Sequence, residues 1–469
     1  MACLPLRARA AGWLVARLAP DRLDNPRVLL AVWLITRTLL VVLMAATLAR
    51  QPDRGDLAYY YTGMSHLAQA GPAETMPEYP TPVLWLMMVP WFLGGGHLAG
   101  FLAAFLGLML ALDAAVALTL WRGGGHGRGA AVLAWTVSVA LMGHLPYERF
   151  DLVTSALAGW ALLWVTARPA GGGALIGAGA ALKLWPALLW PALCGRSRRQ
   201  SLRATAGFLT TGGALALASL LWAGWDRLVA PLSWQAGRGL QIESVWASLP
   251  MLARHLAPGR YTIFLSPYKA FEIWGPGVHG LWLASGVATA AAYLLLGAVF
   301  VLWWRRGAGR GVEAGVLVLL VTVALIVTNK TLSPQYLLWL AGPLAATVAI
   351  VGASPTGGPS ARADRHRLGR VLALVAATAV LTMAGLYLGY PMAMSDLGTE
   401  SAFFGLPTTL VLLARNGLLV WLFAVLARWT WQFLRPTAFA AVRAGRPVED
   451  AAADSREDAA QGESHRPPG

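Results

Sequence analysis

Only 22 Asp and Glu occur among 469 residues, so the places where they gather are where chemistry is sought first. Asp56 follows an apolar run of helical length, in Arg54–Gly55–Asp56–Leu57–Ala58–Tyr59–Tyr60–Tyr61, and Glu78 opens Glu78–Tyr79–Pro80–Thr81–Pro82. An acid just beyond a membrane helix could take a proton from a hydroxyl; a solvated loop acid is the plain alternative. Tyr59 and its neighbours could form a sugar platform or an interfacial aromatic belt. Three more polar groups follow: Glu148–Arg149–Phe150–Asp151, the stretch Gln235–Ser244 with Arg238, Gln241 and Glu243, and Asn329–Tyr336 with Lys330, Ser333, Gln335 and Tyr336. Of the 37 basic residues only Lys183, Lys269 and Lys330 are lysines, which offer a compact charge that Arg does not. Lys269 stands in a polar loop with no motif around it and reads as surface charge. The remaining groups supply carboxylates for proton transfer, cations for a phosphate and amides for hydroxyl recognition. That mix suits a reaction between a lipid-phosphate donor and a hydroxyl acceptor. The eight histidines are scattered and no Gly-rich phosphate loop is present, so neither a metal nor a cofactor is expected.

The elements that must position these residues are membrane helices. The chain is 57% hydrophobic and 13% charged, about half the charge of a soluble domain. Apolar runs such as Val28–Leu48, Phe101–Leu120, Leu281–Trp303 and Val371–Leu388 match a hydrocarbon layer of about 30 Å. Unpaired backbone groups are not tolerated in lipid, so the runs must be helical. The net charge of +15 sits in short loops and therefore reports topology rather than nucleic-acid binding. Cys3 and Cys194 give no disulfide framework. The expectation is an all-α polytopic protein of the cell membrane with about eleven hydrophobic elements.

The basic segment 1–27 is expected in the cytoplasm, with the first helix, 28–50, a retained anchor. An outer loop spans 51–80, and 81–93 is a short interfacial helix. Residues 97–121 cross back. Residues 129–145 and 151–167 form a pair joined by a tight turn at 144–151. Residues 172–194 have Arg168 before them and Arg196, Arg198, Arg199 and Arg203 after them. A re-entrant pair with its tip at Lys183–Leu184–Trp185–Pro186 resolves this, with Pro186 breaking the helix; one ordinary span with a weak charge violation is the alternative. Further elements are 204–225, a long outer segment 226–278, 279–304, 312–328, a hinge at 329–336, and 337–351. A cytoplasmic loop at 352–369 precedes a last pair, 370–390 and 406–434, joined by an outer loop at 391–405. The polar tail, 435–469, reads as disordered and cytoplasmic.

Charges inside the apolar runs are costly and call for a partner or a function. Arg37 and Asp113 lie at similar depth, roughly 12–14 Å from the cytoplasmic edge, and are expected to pair. Arg415 in the last helix is expected to snorkel to the outer interface or to meet an anionic lipid headgroup.

With these motifs assembled, the chain resembles the membrane glycosyltransferases of the GT-C fold, and most of all glycosyltransferase family 87, the polyprenol-phosphate-mannose-dependent α-mannosyltransferases of actinobacterial envelopes. The resemblance rests on Arg54–Gly55–Asp56 with Tyr59, Tyr79–Pro80–Thr81–Pro82, Arg149–Phe150–Asp151, Gly177–Pro186, Arg238–Ser244 and Lys330–Tyr336. Thr81 stands where Pro is commoner. The resemblance implies a GT-C-like transmembrane domain over 28–434 and transfer of a sugar, mannose by default, from polyprenyl phosphate to a lipid-linked or envelope glycan acceptor at the extracytoplasmic face, with inversion. Asp56 would be the general base. Lys183, Arg238 and Lys330 would hold the donor phosphate. Tyr59, Glu78, Arg149, Asp151, Gln241, Glu243, Ser333, Gln335 and Tyr336 would bind substrate or shape the pocket, although Glu243 and Arg238 could instead pair with each other. Two other classes remain open: a transporter or lipid-linked glycan flippase, and a non-catalytic assembly partner.

Overall fold

The computed structural model describes residues 24–50, 55–123, 125, 127–195, 197–306, 311–354, 359–395 and 405–435. Arg54, most of the basic N-terminal segment, most of the 391–405 loop and the 436–469 tail lie outside the described residues. The fold is a helical bundle, as expected. Among the described residues eight helices are long and apolar enough to cross a membrane, and four shorter apolar ones accompany them. The first is α1 (Pro26–Arg50). It leads to α2 (Asp56–Glu74), α3 (Thr81–Leu93), α4 (Leu98–Gly123), α5 (Arg128–Ala140), the one-turn α6 (Leu145–Glu148), α7 (Asp151–Trp164) and α8 (Pro169–Leu182). A 3-10 helix (Trp185–Leu193) precedes α9 (Arg198–Gly237) and α10 (Ser248–Leu256). A two-stranded antiparallel hairpin follows, β1 (Thr262–Leu265) and β2 (Phe271–Trp274), then α11 (Val278–Arg305), α12 (Gly311–Thr328), α13 (Leu338–Gly352), α14 (Pro359–Ser395) and α15 (Leu406–Leu434).

The apolar residues sort the helices into two kinds. In α12 and α13 nearly every residue is buried, so they form the centre of the bundle; a helix apolar all round needs neighbours or lipid on every side. By contrast α1 and α11 turn Leu30, Ile35, Leu39, Val287, Leu294 and Leu295 outward. An outward apolar band is what hydrocarbon solvates.

Four departures from the expected topology shape the molecule. Residues 56–74 of the expected first outer loop are helical, with a break at Gly71. The helix α9 continues through Gly224, whose φ of 81° breaks its regularity, to Gly237, and α14 begins at Pro359 rather than near 370. Finally, α5 and α7 have 13 and 14 residues, about 20 Å each. They fall short of a 30 Å layer, so the turn between them is recessed into the bundle.

The break at Lys183 is present. Gly173 of α8 lies against Ala204 and Phe208 of α9, and Gly177 against Phe208 and Gly212. The numbers rise together, so α8 and α9 run parallel. A Cβ on Gly177 would stand 2.7 Å from the Phe208 carbonyl oxygen, so only glycine permits this approach. Parallel helices joined by a short link require the link to run back. Accordingly Pro186 packs on Gly179 at the end of α8, while Trp190 Nε1 donates to Thr205 Oγ1 (3.1 Å) near the start of α9. Residues 169–193 are thus a hairpin of two helices with Lys183, in extended backbone, at its tip. This is the shape expected of a re-entrant pair.

Arg37 and Asp113 pair as expected. Arg37 Nε is 2.7 Å from Asp113 Oδ2 and Nη2 is 3.0 Å from Oδ1. Trp33, Trp135 and Tyr147 also donate to the same carboxylate, and Arg37 Nη1 donates to the Thr136 carbonyl. Arg415 departs from expectation. It is fully buried, and its Nη2 reaches the Glu243 carbonyl (3.0 Å) and Glu243 Oε2 (3.2 Å), while Asn416 Nδ2 donates to the Ser244 carbonyl. Neither snorkelling nor a headgroup contact fits: the 241–244 segment folds down onto α15 and supplies a protein counter-charge.

Candidate active site

Asp56 is the first residue of α2, and Gly55 before it has φ of 97°, a left-handed conformation open to glycine. That turn aims Asp56 at the recessed α6–α7 corner, where its Oδ2 forms an ion pair with Arg149 Nη2. The side chains of Arg149 and Asp56 stay 23% and 20% exposed, so the pair is reachable. Burial raises the Asp56 pKa above its ordinary value. Arg149 opposes this most strongly, Glu148 and Asp151 add to the rise, and Lys183 opposes it. Burial alone would lower the Arg149 pKa, but Asp56, Tyr60, Tyr79 and Asp151 outweigh it and hold the guanidinium charged.

Lys183, at the tip of the α8 hairpin, donates to Asp151 Oδ1 at 2.6 Å. The same oxygen accepts from Trp339 Nε1 at 2.5 Å. Phe150, Tyr336 and Trp339 surround the ammonium at 5.3–5.5 Å from their ring centroids. Trp339 stacks between Tyr336 (4.2 Å) and Trp185 (4.9 Å). Cation–π contacts of this kind hold a charge in place where water is scarce.

The other expected residues line the same end of the bundle in a second group. Lys330 Nζ donates to the Ala236 carbonyl at 2.9 Å and lies over the Trp282 ring. Arg238 Nη2 donates to the Tyr268 carbonyl at 3.1 Å. Gln241 Nε2 donates to Ser333 Oγ, and its backbone N–H to the Lys330 carbonyl. Glu243 holds Arg415. Burial lowers the Lys330 pKa, with Glu272 opposing and Arg238 assisting the drop. Tyr59 hydrogen-bonds Glu78, and burial, followed by the Glu78 charge, raises the pKa of its hydroxyl.

The two groups are joined at both sides. Ser333, which precedes the short 3-10 turn Pro334–Leu337, touches Gln241, and Tyr336 within that turn touches Lys183. On the other side Tyr59, one helical turn from Asp56, carries Lys269 on its ring at 3.4 Å, and Lys269 adjoins the Tyr268 that Arg238 holds. Side-chain contacts and short stretches of chain therefore link Asp56 through Arg149, Asp151, Lys183, Tyr336, Ser333, Gln241, Arg238, Tyr268 and Lys269 back to Tyr59. Several of these residues keep a buried polar atom with no hydrogen-bond partner among the described residues: Arg149 Nε, Glu78 Oε2, Gln241 Oε1 and Gln335 Oε1. Such atoms are rare in folded chains and call for a partner.

Sequence reasoning missed Trp339, although its spacing of three from Tyr336 places both on one face of a helix. It also missed Arg227. That buried side chain holds the Thr75 and Met76 carbonyls at 3.1 Å each, and no local motif marks it. Among the described residues no group of His, Cys, Asp and Glu could hold a metal ion.

An apolar groove of about 280 Å³ opens beside the cluster, between α3, α8 and α9. Pro80, Pro82, Gly177, Ala181, Leu184 and Gly212 line it, so one end lies next to the Lys183 tip.

No curated protein and no solved structure matches the chain. The model of one family does match, over residues 78–329, more than half of the chain. That span covers Glu78, the Arg149–Asp151 corner, the Lys183 hairpin and the Arg238–Glu243 strap, and it stops short of Asp56 and Lys330. The match agrees with the motif resemblance and with the eight candidate spans: this chain, a multi-pass membrane protein, belongs to glycosyltransferase family 87.

Proposed function

We propose that this glycosyltransferase moves a sugar, mannose by preference, from a polyprenyl-phosphate donor to a hydroxyl of a lipid-linked or envelope glycan at the extracytoplasmic membrane surface. The observation that carries the reading is the partly exposed Asp56–Arg149 pair set against the Lys183–Asp151–aromatic cluster. A carboxylate, cations and ring faces at one recessed corner suit proton abstraction and the stabilisation of a leaving phosphate. Burial makes Asp56 a stronger base than a free carboxylate, and Arg149 opposes that rise. In the reaction Asp56 takes the acceptor proton and the acceptor oxygen attacks the anomeric carbon. The sugar–phosphate bond breaks, and the electron pair leaves with the phosphate.

Negative charge developing on that leaving group is stabilised by pre-placed cations. Lys183 is the nearest to this corner; Lys330 and Arg238 serve from the adjoining group. Gln241, Gln335 and Glu78, with their unpartnered oxygens, are suited to sugar hydroxyls, and Tyr336, Asp151 and Ser333 shape the wall. Glu243 supports that wall through Arg415. The apolar groove beside Lys183 suits the prenyl chain. A donor already activated on a lipid explains why no nucleotide-binding segment is needed.

The test uses membrane vesicles and radiolabelled polyprenyl-phosphate-mannose. Transfer into lipid-linked product that disappears in Asp56→Asn, at equal protein level, supports the reading. Undiminished transfer in that variant rejects Asp56 as the base, and no transfer by the native chain from this donor rejects the donor.

A further inference from the structure

Nearly every cation at this end of the bundle is committed. Arg149 holds Asp56, Lys183 holds Asp151, and Lys330, Arg238 and Arg227 hold backbone carbonyls. Lys269 differs. It is exposed, and among the described residues its side chain makes no hydrogen bond or ion pair. Its ammonium rests on the face of Tyr59, one helical turn from Asp56. Burial lowers its pKa, and the carboxylates of Glu78 and Asp56 oppose the drop.

The backbone beneath it is unusual. Lys269 occupies the turn of the β1–β2 hairpin with φ of 55°, a left-handed conformation that costs an L-residue with a Cβ and suits Gly or Asn. Among the described residues Met76 is the one other non-glycine with such a φ. Met76 lies two residues before Glu78, with its carbonyl held by Arg227. The hairpin is also pinned: Lys269 N–H donates to the Ser266 carbonyl and Ser266 N–H to the Ala270 carbonyl. Ile242 and Ile273 tie β2 to the 240–242 segment, and Tyr268 packs edge-on to Trp234. Strain persists where surroundings over-determine it, and it clusters at ligand clamps.

We propose that Lys269 is a phosphate-binding residue of this site, held on Tyr59 until the phosphate of a prenyl lipid takes its ammonium. This deepens the sugar-transfer reading and rests on it for the position of the reacting centre. Lysine fits the task because its three donors rotate on a flexible stem and form a compact charge. Leaving an aromatic face for an anion breaks no ion pair, whereas recruiting Lys183 or Arg149 does.

The test uses the full chain in phosphatidylcholine nanodiscs. Binding of geranylgeranyl phosphate, geranylgeraniol and phosphatidylglycerol is measured by calorimetry for the native chain, Lys269→Asn, Lys269→Arg and Arg260→Gln. Asn is neutral and tolerates the left-handed turn, so Lys269→Asn is expected to unfold at the native temperature or above. It should bind geranylgeranyl phosphate about tenfold more weakly, the loss of one charge-assisted hydrogen bond, with the alcohol unchanged. Lys269→Arg should retain most of the affinity and Arg260→Gln, two residues before the hairpin, all of it. Unchanged binding of the phosphate in Lys269→Asn, an equal loss for the alcohol, or a loss confined to phosphatidylglycerol overturns the proposal. Binding is read without sugar transfer: a phosphate site that survives while Asp56→Asn transfers normally condemns the base assignment alone.

Discussion

Two carboxylate networks meet at the end of the one-turn helix α6, and they are built on opposite plans. Tyr147 faces inward and joins the Arg37–Asp113 network, in which the two ionic side chains are 3% and 0% exposed and the carboxylate accepts from the guanidinium, two indoles and a phenol. Arg149, two residues later, faces the other way and joins Asp56, with about a fifth of each side chain open and a buried Nε left without a partner among the described residues. The first network is saturated; nothing could bind there without breaking it. The second holds a strong pair together with unmet hydrogen-bonding capacity nearby, as a site that must exchange one partner for another requires. The two ion pairs thus differ in saturation as well as in burial.

The comparison breaks if the two carboxylates respond alike. Asp56→Asn should lower transfer by about 10²- to 10⁴-fold, the usual worth of a general base, and leave the unfolding temperature nearly unchanged. Asp113→Leu should do the reverse. It strands Arg37 in an apolar environment and should cost about 3–5 kcal/mol of stability, seen as loss of folded protein in detergent. Arg37→Met combined with Asp113→Leu should recover much of that loss, since an apolar pair removes the stranded charge. Strong destabilisation by Asp56→Asn, or a stable Asp113→Leu, would erase the distinction.

These outcomes also bear on which parts of the molecule could be read from the chain. Arg37 and Asp113 were legible because depth in a helix is arithmetic: each residue adds about 1.5 Å, and two lone charges at one depth must find each other. The break at Lys183 was legible because the flanking arginines could not both be cytoplasmic around a single crossing, and Pro186 marked where the helix must stop. Arg415 was misread because its partner, Glu243, lies 172 positions away in a loop; no local rule brings that loop to α15. Lys269 is exposed, as surface charge should be, but its seat on Tyr59 was not legible, because it depends on a hairpin whose two four-residue strands are too short to stand out. The helical 56–74 segment was hidden by its polar and glycine content. What stayed illegible is tertiary proximity between loops, which is also what assembles the circuit around Asp56.

A smaller effect sharpens the contrast from the support side. The Glu243–Arg415 pair resembles the Asp113 network in burial, 2% and 0% exposed, yet it anchors the strap that carries Arg238 and Gln241. Glu243→Gln keeps the carbonyl contact to Arg415 and removes the charge. A charge-assisted hydrogen bond is worth about 1.5–3 kcal/mol, so a moderate fall in unfolding temperature is expected. Transfer should fall less than in Asp56→Asn and through a raised donor KM, because the strap shifts while the base stays. A fall in kcat with unchanged KM would instead place Glu243 at the reacting atoms.

The smallest effect is the most specific, because it depends on sign. Asp56 must be ionised to accept a proton, and its pKa lies above the ordinary value, with burial the leading cause. As pH falls, transfer should therefore fail earlier than a free carboxylate would dictate. For stability the linkage runs the same way: the folded chain takes up this proton more readily than the unfolded one. The contribution is therefore full below the unfolded pKa and is lost as pH rises through the folded one. Glu148 raises the Asp56 pKa and Arg149 lowers it. Glu148→Gln should then move the acid limb of kcat/KM to lower pH, and Arg149→Gln should move it to higher pH, whatever either change does to the maximal rate. Limbs that move together would mean that another group titrates. A limb that moves in neither variant would detach Asp56 from the proton transfer and leave the open network without its base.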